Sequence, residues 1–129
     1  MLKIYVASVP VDNQDKALNF YTKILGFIKK NEVPLGEYKW LTVVSPDEQS
    51  GVELLLEPMA FEPAKLYQKS LKEAGIPWTS FAVGDVEREF ERLKELGVKF
   101  SIPPKEAGTV KIAVLDDTCG NYIQLMQQL

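Results

Sequence analysis

Residues 11–27, VDNQDKALNFYTKILGF, read as an amphipathic helix with its start and stop both written in. Asp12 and Asn13 are candidates for the N-cap, Ala17, Leu18, Tyr21, Ile24 and Leu25 recur at helical spacing, and Gly26 closes the segment. The pattern returns at residues 83–100, VGDVEREFERLKELGVKF, where Asp85 caps, Val86, Phe90 and Leu93 make the stripe and Gly97 stops it. Strand-like runs precede the two copies, Lys3–Val9 and Thr79–Val83. Others follow, Trp40–Ser45 and Lys111–Asp116, each passing through a polar turn with Asp and Gly into a last strand, VELLLEP (52–58) or NYIQLMQ (121–127). A constant offset of about seventy residues marks an internal duplication of a strand, a helix and further strands.

A chain of 129 residues with 46% apolar content has the size and core of one domain, so the repeats are read as halves of a single body spanning residues 1–129. The first half covers about residues 1–58, a connector about 59–75 and the second half about 76–129. A net charge of −3 with both signs interspersed, Lys29-Lys30 being the only adjacent basic pair, argues against a nucleic-acid partner or an anionic membrane. The first ten residues, MLKIYVASVP, lack the features of a signal peptide, and no run is long enough to span a bilayer, which gives a cytoplasmic expectation. One cysteine, Cys119, excludes an internal disulfide and suits a reducing compartment. Histidine is absent. That removes the commonest transition-metal ligand, the usual general base and any Ser-His or Cys-His nucleophile.

Alternation sorts the strands into faces. On the first, Ile4, Val6 and Ser8 oppose Tyr5, Ala7 and Val9, and both sets are apolar enough to be covered or to line a cavity. Phe27–Val33 reads as a strand ended by a turn at Pro34-Leu35-Gly36, and Tyr38, Trp40, Thr42 and Val44 then share a face. Tyr38 and Trp40 either pack into a core or wall a ligand pocket. In residues 52–58, Val52, Leu54 and Leu56 are core, while Glu53, Leu55 and Glu57 form either a solvated face or a site. Pro63 starts a short surface helix running through Lys65–Ala74 that tethers the halves, and Ile102–Gly108, with two prolines, reads as a turn. In the last strand Tyr122, Gln124 and Met126 share a face, and Gln124 needs hydrogen-bond partners, functional or structural.

These residues resemble the vicinal oxygen chelate superfamily of glyoxalase, bleomycin-resistance and extradiol dioxygenase proteins. The resemblance rests on Tyr-x-x-x-Leu-Gly-Phe (Tyr21, Leu25, Gly26, Phe27) and Asp-x-x-Gly-Asn-x-Ile-x-Leu (Asp117, Gly120, Asn121, Ile123, Leu125) inside the duplicated pattern. It implies an α+β fold of two βαβββ modules curled around a cleft, commonly as a homodimer. In the metalloenzymes of that family one ligand comes from each of four strands. The matching positions here are Val6, Glu53 (or Glu57), Trp78 or a neighbour, and Gln124. Val6 and Trp78 cannot ligate, and one carboxylate with one amide falls short of a transition-metal site, so no metal and no cofactor are expected. The candidate lining is Val6, Tyr38, Trp40, Leu55, Trp78, Tyr122 and Met126 around Glu53, Glu57 and Gln124, the composition of a pocket for a small aromatic or amphipathic molecule. Glu53, dehydrated there, is expected to have a raised pKa and is the one candidate acid, base or partner of a cationic ligand. Cys119, in a Gly-containing turn, is expected to be partly exposed, with nothing nearby to activate it. Metal-free binding leads. A lyase, isomerase or dioxygenase with an atypical Glu and Gln site is the alternative, and a plain interaction surface is the third.

Overall fold

The computed structural model describes residues 1–129, and the duplication is visible in its element order. Strand β1 (Val6–Val11) leads into helix α1 (Gln14–Asn19), a π-helical turn (Phe20–Ile24), and strands β2 (Ile28–Leu35), β3 (Tyr38–Val44) and β4 (Glu53–Pro58). Helix α2 (Glu62–Glu73) connects to β5 (Thr79–Ala82), helix α3 (Val86–Glu95), β6 (Phe100–Ala107), β7 (Val110–Asp116) and β8 (Tyr122–Gln128). Each unit forms a four-stranded sheet, in the orders β1-β4-β3-β2 and β5-β8-β7-β6, with its first and last strands parallel and the other pairs antiparallel. This is the α+β, twice-βαβββ architecture that the sequence leads one to expect. No helix is long and apolar enough to cross a membrane.

The helices begin and end where the sequence places the signals. Asn13 caps α1, its side chain accepting from Lys16 N at 2.9 Å, and Asp85 caps α3, accepting from Arg88 N at 3.1 Å. Gly26 and Gly97 stop the two helical segments at φ +98° and +88°, where a side chain is disfavoured. Inside the first segment the winding changes. The Thr22 hydroxyl donates to Leu18 O at 2.6 Å, a bond of the kind that loosens a helix, and Leu25 N reaches back to Phe20 O at 3.0 Å. A wider turn brings successive side chains closer in direction, so the neighbours Phe20 and Tyr21 both reach the core, at 7% and 0% exposure. The apolar stripe read from the sequence contains Tyr21 and omits Phe20.

The core is one cluster drawn from both units, with Val9, Leu41 and Leu56 from the first and Val86, Leu115 and Ile123 from the second. Along β4, Leu56 is core and Leu54 packs against it, while Glu53, Leu55 and Glu57 take the other face; Val52, expected in the core, precedes the strand and is 48% exposed. Tyr38 and Trp40 are outside the core, and Tyr38 is 38% exposed.

Three strand boundaries need correction. The stretch read as a turn, Ile102–Gly108, lies mostly within β6: Pro103 and Pro104 sit where the register slips between Ile102 and Lys105, on an outer edge strand whose missing N–H groups cost little pairing. For the same reason β2 runs on through Pro34 and Leu35, which pair with Lys39 and Tyr38. Strand β1 begins at Val6 rather than Lys3, because its partner β4 begins at Glu53, paired with Val6.

Helix α2 does more than tether. Its Gln68, 9% exposed, donates from Nε2 to Pro10 O (3.0 Å), Cys119 O (3.3 Å) and Asn121 Oδ1 (3.1 Å), joining β1 to the β7–β8 turn. Asn121 Nδ2 also donates to Pro10 O at 2.7 Å. Gly120 has φ +105°, which disfavours a side chain, and a Cβ there would stand 2.7 Å from Gln68 Nε2 and displace that amide from its bonds. At the centre is Asp117, fully buried. Its Oδ1 accepts from Cys119 N (2.7 Å) and Asn121 N (3.0 Å), and its Oδ2 from Tyr21 OH (2.6 Å) and Asn121 Nδ2 (2.8 Å). Burial pushes the Asp117 carboxyl upward against the pull of these donors. Burial, with Asp117 alongside, holds the Tyr21 phenol well above its usual value. Cys119, expected at the surface, is buried in the core because the turn folds inward on Asp117, and its thiol is pushed up to about 12, chiefly by burial. Replacing Tyr21→Phe takes one donor from a buried carboxylate, and urea unfolding should show a loss of about 1–3 kcal/mol with strand content intact. An unchanged midpoint would show that the bond contributes nothing.

Candidate functional site

Each sheet has one face under its helix and one face without a helix, and register places the candidate residues on the latter. Val6 pairs with Glu53, and Ser80 pairs with Gln124, so these four occupy equivalent positions of the two units. Ser80 is thus the neighbour of Trp78 that matches Val6. Trp78 itself precedes β5. Its indole N–H donates to Ser8 O at 3.0 Å and its ring meets Tyr67 of α2 edge-on at 5.4 Å, which places it at the seam between the units.

In the first unit Glu53 is 6% exposed. Its Oε1 accepts from Thr42 Oγ1 at 2.7 Å and Asn31 Nδ2 at 2.9 Å, both reaching over from neighbouring strands. The Thr42 hydroxyl is the main cause that lowers the Glu53 pKa from its usual value; burial opposes it, and the Asn31 and Tyr5 side chains and the Lys30 charge add to the lowering. The expectation of a raised pKa is therefore reversed: burial is present, and the donors outweigh it. Oε2 accepts no hydrogen bond, yet no fully enclosed polar side-chain atom in the protein lacks a partner, so this oxygen remains open. Trp40, Leu55 and Val6 are half-buried around this position on the same unit, and Glu57 is exposed.

In the second unit Gln124 is half-exposed and donates from Nε2 to Ser80 Oγ at 3.1 Å. Met126, paired with Ile112, and Tyr122 share its face, and both are half-buried. Glu53 and Gln124 do not touch: each is bonded within its own sheet. Glu53 and Ser80 do border a common cavity of about 190 Å³ with Ala7, Val44, Phe27 and Phe81. A larger opening of about 630 Å³ lies on the helix side between Gly26 and α3, where Arg92 is already tied to Glu89 and to the carbonyls of Ile24 and Leu25. The helix-free faces are the stronger candidate because the duplicated register converges there on a carboxylate with an unengaged oxygen.

The residues at the four positions do not fit a transition-metal centre. Val6 offers no donor, Glu53 is already held by two side chains, Ser80 and Gln124 are neutral and bonded to each other, and nowhere do three His, Cys, Asp or Glu gather. Sequence reasoning missed Thr42, Asn31 and Ser80 as members of the site. Alternation had put Thr42 on the Trp40 face, but its bond to Glu53 follows from the β3–β4 register, which alternation does not give.

Residues 3–125 match the Glyoxalase/Bleomycin resistance protein/Dioxygenase superfamily. The chain is 54% identical over 127 residues to Uncharacterized protein YurT of Bacillus subtilis (strain 168), covering 98% of this chain and 100% of that one. Among solved structures, UcmS2 superposes with a TM-score of 0.85 at 29% identity over 99% of both chains. TnmS3, an antibiotic binding protein from Streptomyces sp. CB03234, does so at 0.77 and 25% identity, covering 100% of this chain and 98% of its own. A family match over nearly the whole chain, two βαβββ units and superposition across full lengths together mean that the chain belongs to the Glyoxalase/Bleomycin resistance protein/Dioxygenase superfamily.

Proposed function

We propose that the protein binds a small aromatic or amphipathic molecule on its helix-free sheet faces and performs no metal-dependent chemistry there. The observation that carries this reading is the first unit's open face, where Trp40 and Leu55 stay half-buried without a helix over them, next to the enclosed carboxylate of Glu53. Apolar walls with a few fixed polar groups are what small-molecule sites are made of. The similarity to TnmS3 supports the same class of activity. A homodimer is part of the reading: Ile4, Tyr5, Val33 and Leu35 are large apolar residues at 74%, 59%, 48% and 59% exposure, which a second copy would cover. The cytoplasmic location expected from the sequence is kept, with Cys119 a buried free thiol. A lyase, isomerase or dioxygenase would need an acid, a base or metal ligands at these positions. Glu53, held ionised by Thr42 and Asn31, is a poor proton donor and a weak base.

Trp40 and Trp78 separate a pocket wall from a seam. A neutral naphthyl probe, 1-naphthylmethanol, titrated with calorimetry should bind Trp40→Ala about tenfold or more weakly, as removal of an aromatic anchor costs. The variant's melting temperature should stay close to that of the parent. Equal affinity in parent and variant would remove Trp40 from the site. Trp78→Phe should lower stability instead, through the lost bond to Ser8.

The acid limb of stability tests the Glu53 environment. A carboxylate held below its usual 4.5 binds fewer protons folded than unfolded in the window between the two values, so it stabilises the fold above that window and loses the contribution as pH falls through it. Asp117, raised from 3.8, works with the opposite sign. Stability curves of the parent and Glu53→Gln should therefore converge as pH drops below about 4.5. A constant gap down to strongly acid pH would show that Glu53 is not held as an anion.

A further inference from the structure

Two carboxylates in this protein are buried, Glu53 and Asp117, and they are treated differently by their surroundings. Asp117 has both oxygens filled, by four donors from its own turn, from Asn121 and from Tyr21. That is a closed, structural group. Glu53 has two hydrogen-bond donors, both on Oε1, with the Tyr5 side chain a third polar neighbour of the carboxylate. No lysine or arginine lies within salt-bridge distance of it. Lys30, the one cation that contributes to its field, donates to Gln49 O at 2.9 Å instead. A buried charge is normally paired, because removing it from water is costly unless a counter-charge or further hydrogen bonds make up the difference. Thr42 and Asn31 engage one oxygen, leaving the other without a hydrogen-bond partner and not fully enclosed. The donors keep Glu53 ionised at neutral pH, so the group complementary to Oε2 is a positive charge with a hydrogen to give.

We infer that Glu53 Oε2 is the anchor for a protonated amine on the bound molecule, so the ligand class is an apolar or aromatic body bearing an ammonium or amidinium group. This rests on the binding reading above and narrows it. Thr42 and Asn31 are positioning residues: they hold the carboxylate by the oxygen that the ligand does not use.

The test compares two probes that share a ring system, 1-naphthylmethylamine, protonated at neutral pH, and neutral 1-naphthylmethanol, by calorimetry on the full chain. The parent protein should favour the cation by about tenfold or more at low salt, with the preference shrinking as salt rises. In Glu53→Gln the ratio of the two affinities should fall to near one. Because the comparison within the parent needs no variant, it stands even if Glu53→Gln folds poorly. Equal affinities in the parent, or a preference that survives Glu53→Gln, overturn the inference while leaving the binding reading in place, provided Trp40→Ala still weakens both probes. No binding of either probe at millimolar concentration overturns both. If Glu53→Gln instead shifts the monomer–dimer balance in sedimentation and the parent shows no preference, the cation is a side chain of a second copy and the inference falls.

Discussion

The hydrogen bond from Tyr21 OH to Asp117, 2.6 Å long and sealed from water, links the helix of the first unit to the last turn of the second. Around it the other seam contacts fall into place: Asn121 and Gln68 both reach Pro10 O, and Asp12 N donates to Cys119 O at 3.3 Å. Asp117, with no exposed surface, tolerates no partial solution, since each lost donor leaves the group without solvent to replace it. The positions of β1, the first helical segment, α2 and the β7–β8 turn are therefore fixed together rather than one by one. This polar knot, set beside an apolar cluster drawn from both units, ties the two sheets to each other.

The knot is also asymmetric. The duplication supplies two helices and two terminal turns, but only one connector, and Gln68 fills the gap at one end of the seam. The other end, bounded by Pro46, Ala82–Asp85 and Gly26, has no corresponding insert and remains the 630 Å³ opening. The same inequality appears on the helix-free faces, where one unit sets a carboxylate between Thr42 and Asn31 and the other pairs an amide with a hydroxyl. Once one end of a doubled structure carries the stability, the remaining copies of each feature are free to take on different chemistry.

The sequence reveals the duplication, the caps, the glycine stops and the β3 and β4 faces, because these depend on residue type at short spacing. Asn13 and Asp85 act with their side chains on N–H groups three residues ahead, and Gly26 and Gly97 through their own backbones. What it conceals depends on register and on long-range approach. Gln68 looks like any polar residue of a surface helix until the helix is laid over Gly120. Cys119 reads as a turn residue, and only Asp117 at the centre of that turn explains why it points inward. The direction of the Glu53 shift hangs on Thr42 and Asn31, eleven and twenty-two residues away in sequence, which no local pattern connects to it. Prolines 103 and 104 suggest a turn because local sequence does not reveal that β6 is an outer strand.

Those prolines have a further consequence. Two of the four edge strands, β2 and β6, carry proline, Pro34 in one and Pro103 and Pro104 in the other, together with charges such as Lys29, Lys30, Glu32 and Lys105. An exposed sheet margin with intact amides is a template on which another chain can add, and from there a fibre can grow without limit. On β2 and β6 the prolines each remove an amide donor, and the charges penalise an incoming strand. Lateral addition of another strand is therefore disfavoured along β2 and β6, even where apolar side chains such as Val33 and Leu35 stand exposed beside that margin.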